Sequence, residues 1–124
     1  MFNIDERGNI TCTQGDSGEV VINGLPTDKN YQVYFAIQNE KRQPVGSEIM
    51  VNSNGASSAT FVLSADLTDL LTVPRNEETA TYYYGIKLCH EGTGLEDTLI
   101  LGTQSDGERA TITAYPKQVE GLEG

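Results

Sequence analysis

Hydrophobic and polar residues alternate with a period of two along most of this chain. In "YQVYFAIQ", Tyr31, Val33, Phe35 and Ile37 fall on one side, and Gln32, Tyr34, Ala36 and Gln38 on the other. In "TYYYGIKLCH", Tyr82, Tyr84, Ile86 and Leu88 share a side opposed by Tyr83, Gly85, Lys87 and Cys89. "SATFVL" groups Ala59, Phe61 and Leu63, and "ATITAY" groups Ala110, Ile112 and Ala114. Successive side chains of a strand point to opposite faces, so each run predicts a half-buried strand, and the β-branched and aromatic content agrees. "NITCT", "EVVI", "SEIMV" and "TLILG" are shorter candidates, and Gly-, Asn- and Asp-rich turn clusters separate the runs. About eight strands at this spacing predict an all-β fold, an antiparallel β-sandwich.

One stretch follows a different period. "LSADLTDLLTVP" offers Ser64 as an N-cap, Asp66 in the first turn, Leu67, Leu70 and Leu71 at helical spacing, and a stop near Pro74. It predicts one short helix of about two turns, whose leucines plug an open end of the sandwich. At 124 residues the chain has room for one domain and its own core. The sandwich is expected over residues 1–115. The closing "KQVEGLEG" has little to bury, so 116–124 reads as a flexible tail or linker.

Charge narrows the range of partners. Eighteen acidic against eight basic residues give a net charge of -10, and the basic residues are scattered apart from Lys41-Arg42. A phosphate-backbone binder needs clustered cations, so nucleic acid is not expected. No apolar run is long enough for a spanning helix, and membrane insertion is not expected either. The start, "MFNIDERGNI", lacks the pattern of a secretory signal, and Cys12 and Cys89 are the two cysteines. This predicts folding in a reducing cytoplasm with both thiols free.

Four patterns raise the question of chemistry. Gly15-Asp16-Ser17-Gly18 spells the tetrapeptide around the reactive serine of chymotrypsin-like proteases. A nucleophilic serine needs a base and a group that orients it, and His90 is the one histidine. Here serine precedes histidine, Glu19 stands where that family has a glycine, and the chain is half the size, so a turn is the expected role. Cys89-His90 are neighbours on a predicted strand and face opposite ways, and a zinc site needs three or four ligands. The loops "EGTGLEDT" and "QSDGE" lack the ligand density of a calcium loop. Catalytic residues, cofactors and metals are therefore not expected. Tyr34, Tyr83 and Tyr115 lie on the outward parity of their strands, which marks them as candidate interface residues, with sugar stacking as the alternative.

From Gln14 to Ala114 the features follow a recognisable order: Gly15-Asp16, "EVVI", "YQVYFAI", "FVLSADLTDLL", "YYYGIKL", "DTLILG" and "ATITA". The order resembles the N-terminal domain of phage baseplate upper proteins and related prophage tail-accessory proteins. That resemblance implies a non-enzymatic structural or assembly protein of a phage tail. It would be folded in the bacterial cytoplasm and carried on the virion, working by protein-protein contacts as a homo-oligomer with other tail and baseplate proteins. The alternative is a carbohydrate-binding surface module with a glycan ligand. The resemblance carries over no receptor-binding residue, and where the baseplate proteins continue into a helical linker and a further domain, this chain stops at Gly124.

Overall fold

The computed structural model describes residues 1–90, 96–99 and 110–117, with residues 90 and 96–99 placed by their backbone. Among the described residues the chain forms nine strands and one helix: β1 Phe2–Ile4, β2 Ile10–Thr13, β3 Gly18–Asn23, β4 Tyr31–Gln38, β5 Pro44–Asn52, β6 Ser58–Leu63, α1 Ala65–Thr68, β7 Ala80–His90, β8 Glu96–Leu99 and β9 Ala110–Tyr115. The fold is an all-β sandwich. Its two layers are unequal. A seven-stranded sheet runs β1-β2-β9-β7-β4-β5, with β8 also paired to β7, and faces a two-stranded sheet of β3 and β6.

Strand β7 is the axis of the large sheet. Its first half, Ala80 to Tyr84, pairs with β9, and its second half, Ile86 to Cys89, pairs with β8. Gly85 falls at the changeover. On the other side β7 pairs with the whole of β4, bringing Ala36 opposite Gly85.

The alternating pattern maps onto burial as expected. Tyr31, Val33, Phe35 and Ile37 of β4 and Tyr82, Tyr84, Ile86 and Leu88 of β7 are all buried. They meet Val20 and Ile22 of β3 and Ala59, Phe61 and Leu63 of β6. Phe35 is the pivot, with its ring centroid 4.8 Å from that of Tyr84 and 5.5 Å from that of Phe61. Two strands cannot cover seven, so irregular segments complete the small layer: Leu25 after β3, and Thr68 and Leu71 in and after α1, are all buried.

The structure departs from the sequence expectation in five places. Strand β1 is additional. Its Phe2 ring lies against Gly18 so closely that a Cβ there would come within 2.1 Å of it, which links the edges of the two layers. Strands β2 and β9 run parallel, with Ile10 opposite Ile112 and Thr13 opposite Tyr115. The helix is one turn: Ser64 caps it by accepting from the Leu67 N–H at 3.2 Å, then the bonds tighten to three-residue spacing at Leu70 and Leu71. This tightening buries Leu71 but leaves Leu70 exposed, so the plug is Leu71 and Thr68 with half-buried Leu67 packed beside them, rather than three leucines. Strand β8 starts two residues before "TLILG", and Ile100 to Gly102 lie outside the described residues. Lys117, assigned to the tail, forms an ion pair with Asp69 at 2.6 Å; the remainder of the expected tail, 118–124, lies outside the described residues.

Candidate functional site

The Gly-Asp-Ser-Gly stretch joins β2 to β3 and every member has a structural task except Ser17. Gly15 takes φ +88, a left-handed conformation that favours glycine. The Asp16 carboxylate pairs with the ammonium of Met1, and its carbonyl accepts from the Thr68 hydroxyl at 2.9 Å. Gly18 receives the Phe2 ring. Ser17 itself is exposed. The Gln14 N–H donates to the Tyr115 carbonyl, and Ala114 pairs with Ala80, so this turn sits at the start of β7. His90 closes β7 at its far end, opposite Tyr31. Ten residues of strand, on the order of 33 Å, separate the two positions. The fold does not assemble a Ser17-His90 pair.

The cysteines are on opposite faces of the large sheet. Cys12 is fully buried and Cys89 is half-buried on the outer face, both as free thiols. Burial pushes the Cys12 thiol up to about 11 from its ordinary 9.0, with nearby charges making smaller contributions. A thiol held protonated is a poor nucleophile. Among the described residues no three of His, Cys, Asp and Glu gather closely enough to hold a metal ion.

What the fold does assemble is on the outer face of the large sheet. Thr11, Thr113 and Thr81 form one rung across β2, β9 and β7. Beside it, Asn9 Oδ1 accepts from both the N–H and the hydroxyl of Thr111, at 3.1 and 3.0 Å. Further across, β7 and β4 present Tyr83, Gly85, Lys87, Cys89, Gln32, Tyr34, Ala36 and Gln38. On these four strands, among the described residues, Lys87 is the only outward residue that carries a charge.

A trough of about 560 Å³ crosses this face. Its floor is the Ala36–Gly85 rung, where small side chains drop the surface. One wall is the rung of Tyr34 and Lys87, the other that of Gln38 and Tyr83. Glu48 borders the β5 end, where β5 slips register: Phe35 faces Ile49, yet Ile37 faces Val45. Gly46, within this bulge, has φ +71. A Cβ on it would fall 2.7 Å from Leu67, so the helix packs directly on the bulge.

Of the three tyrosines expected at an interface, Tyr34 and Tyr83 come together at the trough. Tyr115 does not: it faces Thr13, four positions along β9 from the Thr111 that faces Tyr83. The small floor residues and Gln38, Lys87 and Glu48 were not singled out by sequence. Their signal was present in the outward parity of β4 and β7, but it becomes a site only once register sets Ala36 against Gly85.

No protein-family model matches this chain, and no curated protein matches it. Among solved structures it is similar to that of the periplasmic chaperone SfaE, with a TM-score of 0.57, 10% sequence identity and 86% of this chain covered. The match takes in 53% of that chain, so the likeness spans about half its length and is one of fold.

Proposed function

We propose that this chain is a non-catalytic assembly module of a phage or prophage tail, of baseplate type, that works by protein-protein contact through the outer face of its larger sheet. The observation that carries this reading is charge depletion. The chain has a net charge of -10, yet the outward positions of β2, β9, β7 and β4 hold threonines, tyrosines, amides and small residues, with Lys87 as the sole charge. Interface centres are poor in charge and rich in tyrosine, because a charge buried on association loses hydration that few partners replace. The acidic residues elsewhere keep free subunits apart until a complementary face arrives. The phage setting rests on the order of sequence features, and self-association into symmetric oligomers is part of the reading.

Light scattering over a concentration series, with and without tail proteins encoded beside this chain, tests it. The chain is expected to enter a complex of higher mass. Thr113→Arg, which puts a cation at the centre of the threonine rung, is expected to stay out of that complex while melting as the wild type does. A chain that remains monomeric under every condition, or a variant that assembles as well as the wild type, contradicts the proposal.

A further inference from the structure

Antiparallel pairing gives the trough a local two-fold relation. About the Ala36–Gly85 rung, Tyr34 corresponds to Tyr83 and Gln38 to Lys87. The tyrosines therefore stand at diagonal corners. The two walls are four residues apart along each strand, on the order of 13 Å between backbones, which leaves between their side chains a slot about one ring wide. Among the described residues nothing covers the floor: a Cβ built on Gly85 meets no described atom within 4 Å.

A second copy related by a two-fold axis through the trough would not fill this slot, because such an axis sets trough against trough and doubles the void. The occupant is read from the lining, which specifies its chemistry. Tyrosine ring faces are electron-rich and attract polarised C–H groups. Gln38 donates and accepts, Lys87 donates and Glu48 accepts, so the rim serves groups that do both, as hydroxyls do. An apolar peptide side chain would strip water from these three groups and give nothing back. Lys87 and Glu48 offset each other, and the field of a chain with net charge -10 disfavours an anion.

We propose that the trough binds the pyranose ring of an uncharged glycan, with Tyr34 and Tyr83 against the faces or edges of the ring and Gln38, Lys87 and Glu48 on its hydroxyls. This site goes beyond the assembly reading and can operate whether or not that reading holds.

The test is an array of neutral and anionic glycans probed with the full chain alone, followed by calorimetry on the best neutral ligand. Gly85→Leu is the decisive variant. It fills the slot from the floor, has no described neighbour to displace, and replaces a glycine within a strand, so the fold survives. Binding to at least one neutral glycan is expected, weakened roughly tenfold or more by Gly85→Leu and by Tyr83→Ala, and unchanged by Ser17→Ala. Binding to no glycan, preference for anionic glycans, or full binding by a folded Gly85→Leu chain overturns the proposal. So does a protein partner of the wild type that Gly85→Leu excludes while the chain binds no sugar. Because the array contains no tail protein, its failure leaves the assembly reading to be judged by light scattering.

Discussion

Tyr83 and Tyr84 are neighbours on β7, yet they belong to different parts of the molecule. Tyr84 points inward, is 4% exposed, stacks on Phe35 and donates its hydroxyl to the Gly8 carbonyl. Burial raises its phenol well above the usual range, so it stays a neutral donor. Tyr83 points outward, half-buried, and forms a wall of the trough. The same residue type serves two purposes because a strand reverses face at each step. The inner face is occupied by closing the sandwich. On the outer face, among the described residues, the positions of β2, β9, β7 and β4 hold Lys87 as their one charge in a strongly acidic chain, which is the ground of the contact proposal.

The contrast can be broken first at its inner pole. Phe35→Ala, between Phe61 and Tyr84, is expected to cost about 3–5 kcal/mol of folding free energy in urea titrations. A smaller effect is expected where the layers meet at the edge. Gly18→Ala forces the Phe2 ring out, at roughly 1–3 kcal/mol. In a double-mutant cycle with Phe2→Ala most of that penalty should vanish, since the clash requires both residues.

Titration separates the faces differently. The folded Cys12 thiol is raised to about 11 against an ordinary 9.0. Its contribution to stability is therefore complete below about pH 9 and is lost as pH rises toward 11. Unfolding free energy should fall over that window by roughly 2 kcal/mol on this account, and Cys12→Ala should flatten the slope. At pH 8, before any unfolding, iodoacetamide should modify Cys89 and leave Cys12 intact, as read by mass spectrometry of peptides. The smallest effect is expected at Ser17, which is exposed: Ser17→Ala should change stability by less than about 0.5 kcal/mol.

How much was legible in the sequence follows the range of the forces. Period-two runs marked β4, β6, β7 and β9 and their buried faces, because alternation is local. The turn role of Gly15-Asp16 was readable for the same reason. Strand β1 was not, since Phe2–Ile4 is too short to show a period and is held by the Thr13 N–H bond to Met1 and by Phe2 on Gly18. The parallel β2–β9 pair joins residues about a hundred positions apart, which no local pattern encodes. The helix was overextended because leucine spacing allowed a second turn, while the burial of Leu71 drew the chain into tighter turns. Tyr34 and Tyr83 were visible as outward tyrosines, but their shared trough depends on the β4–β7 register and the β5 bulge.

The central claim is that outward tyrosines on β7 and β4 are held for binding and contribute little to stability. The most direct test is the urea midpoint of Tyr83→Ala beside that of Tyr84→Ala. The account predicts that the Tyr84 variant loses about 3 kcal/mol or more while the Tyr83 variant stays within about 1 kcal/mol of the wild type. Equal losses from both would show that the outer tyrosines hold the sheet together, and would contradict the claim.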